Sequence, residues 1–101
     1  MPDRTKGQIE AAVTEAITRF EREHLGRGPK QARSFIVEDV VMVRLTGVLS
    51  QAETELSGEP GGIELIKRMR SRLIESSSAR IHDIVEQATG AGVISVHTDI
   101  S

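Results

Sequence analysis

Polar and apolar positions alternate most regularly between Arg33 and Ser50, in the stretch RSFIVEDVVMVRLTGVLS. Val41, Val43 and Leu45 interleave with Val40, Met42 and Arg44, the period-two pattern of a strand with one buried face. A shorter run of β-formers, Ser34–Val37, precedes it across the acidic pair Glu38-Asp39. Asp tolerates turn conformations, so the pair predicts the tip of a β-hairpin, although no glycine is present to fix the turn.

The pattern changes period on either side. Ile9, Val13, Ala16, Ile17 and Phe20 recur at helical spacing, and Thr5 with Gln8 has capping-box spacing, so a helix is predicted from Gly7 or Gln8 to about Leu25. Gly26, Gly28 and Pro29 stop it. Ser50 and Glu53 form a second candidate capping box, opening a short helix to about Ser57. After the break Gly58-Glu59-Pro60-Gly61-Gly62, a long helix is predicted from Gly62 to Ala88. Its inner stripe reads Ile63, Ile66, Met69, Leu73, Ser77, Ile81, Ile84 and Ala88, with a bend expected at Ser76-Ser77-Ser78. Val93–Ile100 alternates again and predicts a third strand.

These elements define an α/β (α+β) chain in the order α-β-β-α-α-β. The expected architecture is a two-layer sandwich, with the first and long helices covering a small mixed or antiparallel sheet. Val41, Val43, Leu45, Ile66, Leu73 and Ile84 are expected to share one core. The 101 residues fit a single domain, 1–101, with a limited core. Phe20 and Phe35 are the only aromatics, so that core is aliphatic. A homodimer would relieve the shortage, through either strand 93–100 or the long helix. Strand 93–100 carries neither Pro nor Lys to blunt an open edge.

Composition narrows the chemistry. Without cysteine there is no disulfide, thiolate zinc site or Cys nucleophile. No apolar run approaches the roughly 20 residues that span a bilayer, so direct membrane insertion is not expected. The start, MPDRTKGQIE, lacks the apolar core of a signal peptide. A net charge of −2 argues against nucleic-acid binding; residues 34–59 hold five acidic residues and one basic, Arg44.

Four stretches carry a family resemblance: GRGPK (26–30), VVMVRLTGVLSQAE (40–53), ELIKRMRSRLIE (64–75) and VISVHTDIS (93–101). Together they make the chain similar to the bacterial membrane-potential-generating system C (MpsC-like) family over Lys6–Ser101. The resemblance implies a small cytoplasmic bacterial protein linked to systems that move ions or inorganic carbon across a membrane. It supplies no catalytic residues and no cofactor. It also implies a turn and a further strand beyond the segment matching Ser101, so this sequence is expected to be either a short member or a truncated one, with its sheet incomplete.

Candidate chemistry is sparse. Gly-rich GRGPK could form an anion nest with Arg27 and Lys30, but a helix stop is the preferred reading because the dipole there favours cations. Arg70 falls inside the apolar stripe, four after Ile66 and three before Leu73. It must pair, snorkel or bind an anion, and pairing with Asp or Glu is preferred. His97 and Asp99 share one strand face and could supply two metal ligands or an acid–base pair, against the plainer reading of a polar sheet face or subunit contact. No Ser/His/Asp signature, P-loop or dinucleotide loop is present.

Two functions follow. The first is a non-enzymatic accessory or regulatory subunit acting by protein–protein contact, with a membrane transport protein as partner. The alternative is a small-anion binder, for bicarbonate or a phosphate ester, using Arg27, Lys30, Arg44 and Arg70.

Overall fold

A computed structural model describes residues 4–99 of the chain. The elements run α1 (Lys6–Leu25), β1 (Gln31–Val37), β2 (Val40–Thr46), α2 (Gln51–Ser57), α3 (Gly62–Ser76) and α4 (Ser78–Thr89), a mixed α/β arrangement. Both predicted capping boxes form. Thr5 Oγ1 accepts from the Gln8 N–H and Gln8 Oε1 from the Thr5 N–H, at 3.1 and 2.8 Å. Ser50 and Glu53 repeat the exchange at 3.2 and 3.0 Å. These reciprocal bonds satisfy amides that a helix start would otherwise leave open.

β1 and β2 pair antiparallel in the register Val37↔Val40 through Gln31↔Thr46, so Glu38-Asp39 is a two-residue turn. Glu38 takes a positive φ of 54° to close it, a conformation usually left to Gly or Asn. Ala32, Ser34, Ile36, Val41, Val43 and Leu45 lie on the covered face, and Arg33, Val37, Val40, Met42 and Arg44 stand exposed. α1 lies on β1. Thr14 Oγ1 and Ser34 Oγ are 2.7 Å apart, and Glu10 Oε2 accepts from the Ile36 N–H at 2.8 Å. In the two-residue hairpin register, that N–H points away from β2, so Glu10 occupies a donor on the outer edge of the ladder.

α4 packs on α1, and α3 packs on α2. Gly62 permits the second contact, because a Cβ there would collide with the Leu56 carbonyl oxygen. The predicted helix 62–88 divides at Ser77, within the serine run. Ser76 Oγ donates to the Leu73 carbonyl at 3.0 Å, the side-chain competition for backbone acceptors that bends helices.

Three expectations need correction. The strand predicted at Val93–Ile100 does not form over the described part of that stretch; Ile100 lies outside the described residues. The Val93 N–H instead donates to the Glu86 carboxylate at 2.8 Å, and Ile94 is 98% exposed. β-forming residues need a neighbouring strand, and among the described residues the sheet has only β1 and β2.

The predicted inner stripe of the long helix is buried only in part. Ile66, Ile81 and Ala88 are buried, whereas Ile63, Met69 and Leu73 are exposed. Leu73 therefore leaves the expected common core. Ile66 is buried, and Val41, Val43, Leu45 and Ile84 are half-buried. Lastly, it is α1 that lies on the hairpin, with α4 on α1 and α3 on α2. The molecule is accordingly elongated, 52 × 24 × 23 Å, and its apolar interior is thin.

Candidate functional site

Arg70 is the one cation buried with carboxylates on both sides among the described residues. Its position follows from helical spacing: four residues after buried Ile66, it points where α1, α2 and the β2–α2 linker meet. Its Nε donates to Glu53 Oε2 at 3.0 Å, and Nη2 donates to Glu53 Oε1 at 3.2 Å. Nη2 also donates to the Val48 carbonyl at 2.9 Å. Glu21 Oε1 of α1 lies 3.7 Å from Nη1. Side-chain exposure is 7% for Arg70, 5% for Glu21 and 16% for Glu53.

Glu53 has two roles. As the third residue of α2 it closes the capping box on Ser50, and the same carboxylate forms the two-pronged pair with Arg70. Burial alone would push its pKa up, but the hydrogen bonds from Arg70 and Ser50 outweigh that and hold it below the ordinary carboxylate range. Glu21 goes the other way. Burial pushes its pKa up, the Arg70 charge pulls it back only in part, and the Glu53 charge adds to the rise.

The linker between β2 and α2 is gripped from both sides. Arg70 holds the Val48 carbonyl, Arg27 Nη1 donates to the Leu49 carbonyl at 3.0 Å, and Glu53 takes the Ser50 N–H. Three of the four stretches that carry the family resemblance, 26–30, 40–53 and 64–75, thus converge on one short loop.

The predicted site residues separate into three places. Arg27 and Arg70 come together on adjacent carbonyls, Arg27 placing one N–H on Leu49 and Arg70 placing Nη2 on Val48 and on Glu53. Lys30 and Arg44 stand exposed at the base of the hairpin, where Arg44 sits directly opposite Arg33. His97 and Asp99 are exposed on the irregular segment after α4, with His97 Nε2 3.3 Å from Ser95 Oγ. Among the described residues, no three His, Cys, Asp or Glu side chains gather as a metal ligand set would require. Sequence reasoning missed Glu21. The available signal was a carboxylate four residues after Ile17, on the apolar stripe of α1, matching the cation on the stripe of α3.

A second feature flanks the buried arginine. Leu65, Met69 and Leu73, at i, i+4 and i+8 of α3, form an apolar line that faces away from the core. Leu65 and Met69, with Ile66 of α3, line a small groove against Ala52 and Leu56 of α2. Leu65 is 56% and Met69 44% exposed.

Residues 5–101 match the family described as the Na+-translocating membrane potential-generating system (MpsC), and the chain belongs to that family. It is similar to the uncharacterized protein YbcI of Bacillus subtilis (strain 168), 39% identical over 98 residues that cover 97% of this chain and 79% of the relative. It is also similar to the uncharacterized protein YrhF of the same organism, 28% identical over 85 residues, covering 83% of this chain and 70% of the relative. No solved structure matches the chain.

Proposed function

We propose that this protein is a non-enzymatic, cytoplasmic accessory or regulatory component of a membrane ion-transport system, acting by protein–protein contact. The family description supplies the link to a Na+ membrane-potential system. No helix among the described residues is long and apolar enough to cross a membrane. Contact with a membrane-embedded partner is then the route by which such a chain serves that system.

The observation that carries the reading is the apolar line Leu65, Met69 and Leu73 beside Leu56. Contiguous exposed apolar surface with a polar rim marks interaction sites. The rim is supplied by Glu64, Lys67, Arg68 and Arg72 of the same helix. The Arg70 node fixes this surface, because Arg70 and Glu53 tie α3 to the start of α2. Two helices held in register present a firmer docking face than either alone, since less side-chain and backbone freedom is lost on binding.

Co-purification from detergent-solubilised membranes of the native bacterium tests the reading. A tagged full-length protein should recover an ion-transporting membrane protein, and Leu65→Glu should abolish the recovery while leaving the helical circular dichroism unchanged. Recovery of the wild type only as a free species overturns the reading.

A further inference from the structure

We infer that the open face of the β1–β2 hairpin is a self-complementary interface that joins two copies of this chain face to face, with their strands antiparallel. This surface is separate from the α2–α3 face, and the inference stands or falls independently of the partner proposed above.

The hairpin has one covered face and one bare face. On the bare face, Val37, Val40 and Met42 are 61%, 56% and 57% exposed, with Phe35 beside them. A two-stranded hairpin is marginal in water unless a further layer covers its apolar residues. α1 supplies that layer on one side only.

Charge identifies the missing layer. At the base of the bare face, Arg33 and Arg44 are cross-strand partners, a directly opposed like-charge pair that weakens a hairpin. Arg33 is drawn partly over the Phe35 ring, its Cζ 5.3 Å from the centroid. At the tip, Glu38 and Asp39 are adjacent and exposed. Among the described residues, none of these four has an ion-pair partner. The face therefore carries a cationic end, an apolar middle and an acidic end, roughly 17 Å apart at the usual strand rise.

A two-fold axis lying between two such faces, perpendicular to the strands, brings every feature onto its complement. It places Phe35 and Met42 near their own copies and stacks β1 on β1 and β2 on β2. Arg44 then meets Asp39 of the other copy, and Arg33 meets Glu38. An isologous interface must be self-complementary in this way. The parallel alternative sets acid on acid and arginine on arginine. An anionic membrane surface is a poorer occupant, because burying the apolar tip there would carry Glu38 and Asp39 into the headgroups.

The face is small: seven residues per strand and two strands wide. Stacking two of them buries less than the ~1,200 Å² of a standard tight interface. The dimer therefore belongs among weak, transient contacts and should form in a concentration-dependent way.

Sedimentation equilibrium of the full chain, up to on the order of 100 µM, tests this. The wild type should sediment at twice the chain mass at the upper concentrations. Met42→Glu should sediment as a monomer with unchanged circular dichroism, since Met42 contributes to no core. Arg44→Glu should weaken dimerisation on the order of tenfold or more, because each substitution acts twice across a two-fold axis. Adding Asp39→Arg to Arg44→Glu restores an opposite-charge pair and should recover most of that loss. A monomeric wild type, a dimer that survives Met42→Glu, or a double variant no better than Arg44→Glu alone each overturns the inference.

Discussion

Glu53 accepts both prongs of the Arg70 guanidinium, at 3.0 and 3.2 Å, and with the same carboxylate accepts the Ser50 N–H at 3.0 Å. One side chain thus starts α2, anchors α3 and, through Arg70, secures the Val48 carbonyl.

Removing the cation should be costly. Arg70→Met leaves Glu21 and Glu53 buried near one another with no positive charge between them, and frees the Val48 carbonyl. Breaking a buried pair from one side typically costs about 3–5 kcal/mol. Urea denaturation should show a loss of that order, with Glu53→Gln losing less, about 1–3 kcal/mol, because the amide oxygen still accepts a hydrogen bond.

The two glutamates should show opposite pH dependence. Glu21 has a folded pKa raised above the ordinary 4.5, so its contribution to stability is present below that value and is lost as pH rises through the raised one. Glu53 has a depressed folded pKa, so its contribution is present above 4.5 and is lost as pH falls through the depressed value. Glu21→Gln should therefore gain stability relative to the wild type as pH rises from about 4 to about 8. Thermal melts across that range check it. A constant difference would mean that the Glu21 carboxylate experiences no net burial penalty.

Gly62 should resist the substitution that helices usually welcome. Alanine in place of an exposed helical glycine normally adds stability, about 0.5–1 kcal/mol. At Gly62 the new Cβ collides with the Leu56 carbonyl and forces α2 and α3 apart. Gly62→Ala should instead destabilise by about 1–3 kcal/mol in urea denaturation.

Anion binding makes a contrasting prediction. Arg70 gives its Nε and Nη2 donors to Glu53 and the Val48 carbonyl, and Arg27 gives one N–H to the Leu49 carbonyl, so the protein itself already engages the two cations nearest the linker. Millimolar bicarbonate at matched ionic strength should leave the melting temperature unchanged, because only a ligand of the native state raises it. A bicarbonate-dependent rise that Arg27→Gln removes would favour the small-anion reading over the contact one.

Much of this architecture is legible in the residues. Local signals are strong where the partner is near in sequence: Thr5 with Gln8, Ser50 with Glu53, and the hairpin alternation through Val41, Val43 and Leu45. The serine run also marks the division between α3 and α4. Long-range pairing is a different matter. The position of Arg70 in an apolar stripe demands a partner, but nothing local selects Glu21, 49 residues earlier in the sequence, together with Glu53. The stretch after Gly92 fails for the opposite reason: its alternation is sound, but a strand requires a neighbour that no periodicity can guarantee. Met69 and Leu73 fit an inner stripe by spacing alone, and only the packing of α3 on α2 shows them facing outward.

The contact face itself offers the most direct test. A photoreactive residue placed at Leu65 of the full-length protein can be activated in intact cells of the native bacterium, with a second probe at exposed Glu15 of α1 as control. Contact through this face predicts a covalent adduct between position 65 and an ion-transporting membrane protein, and none from position 15. Absence of any adduct at position 65, or an identical set of adducts from both positions, would contradict it.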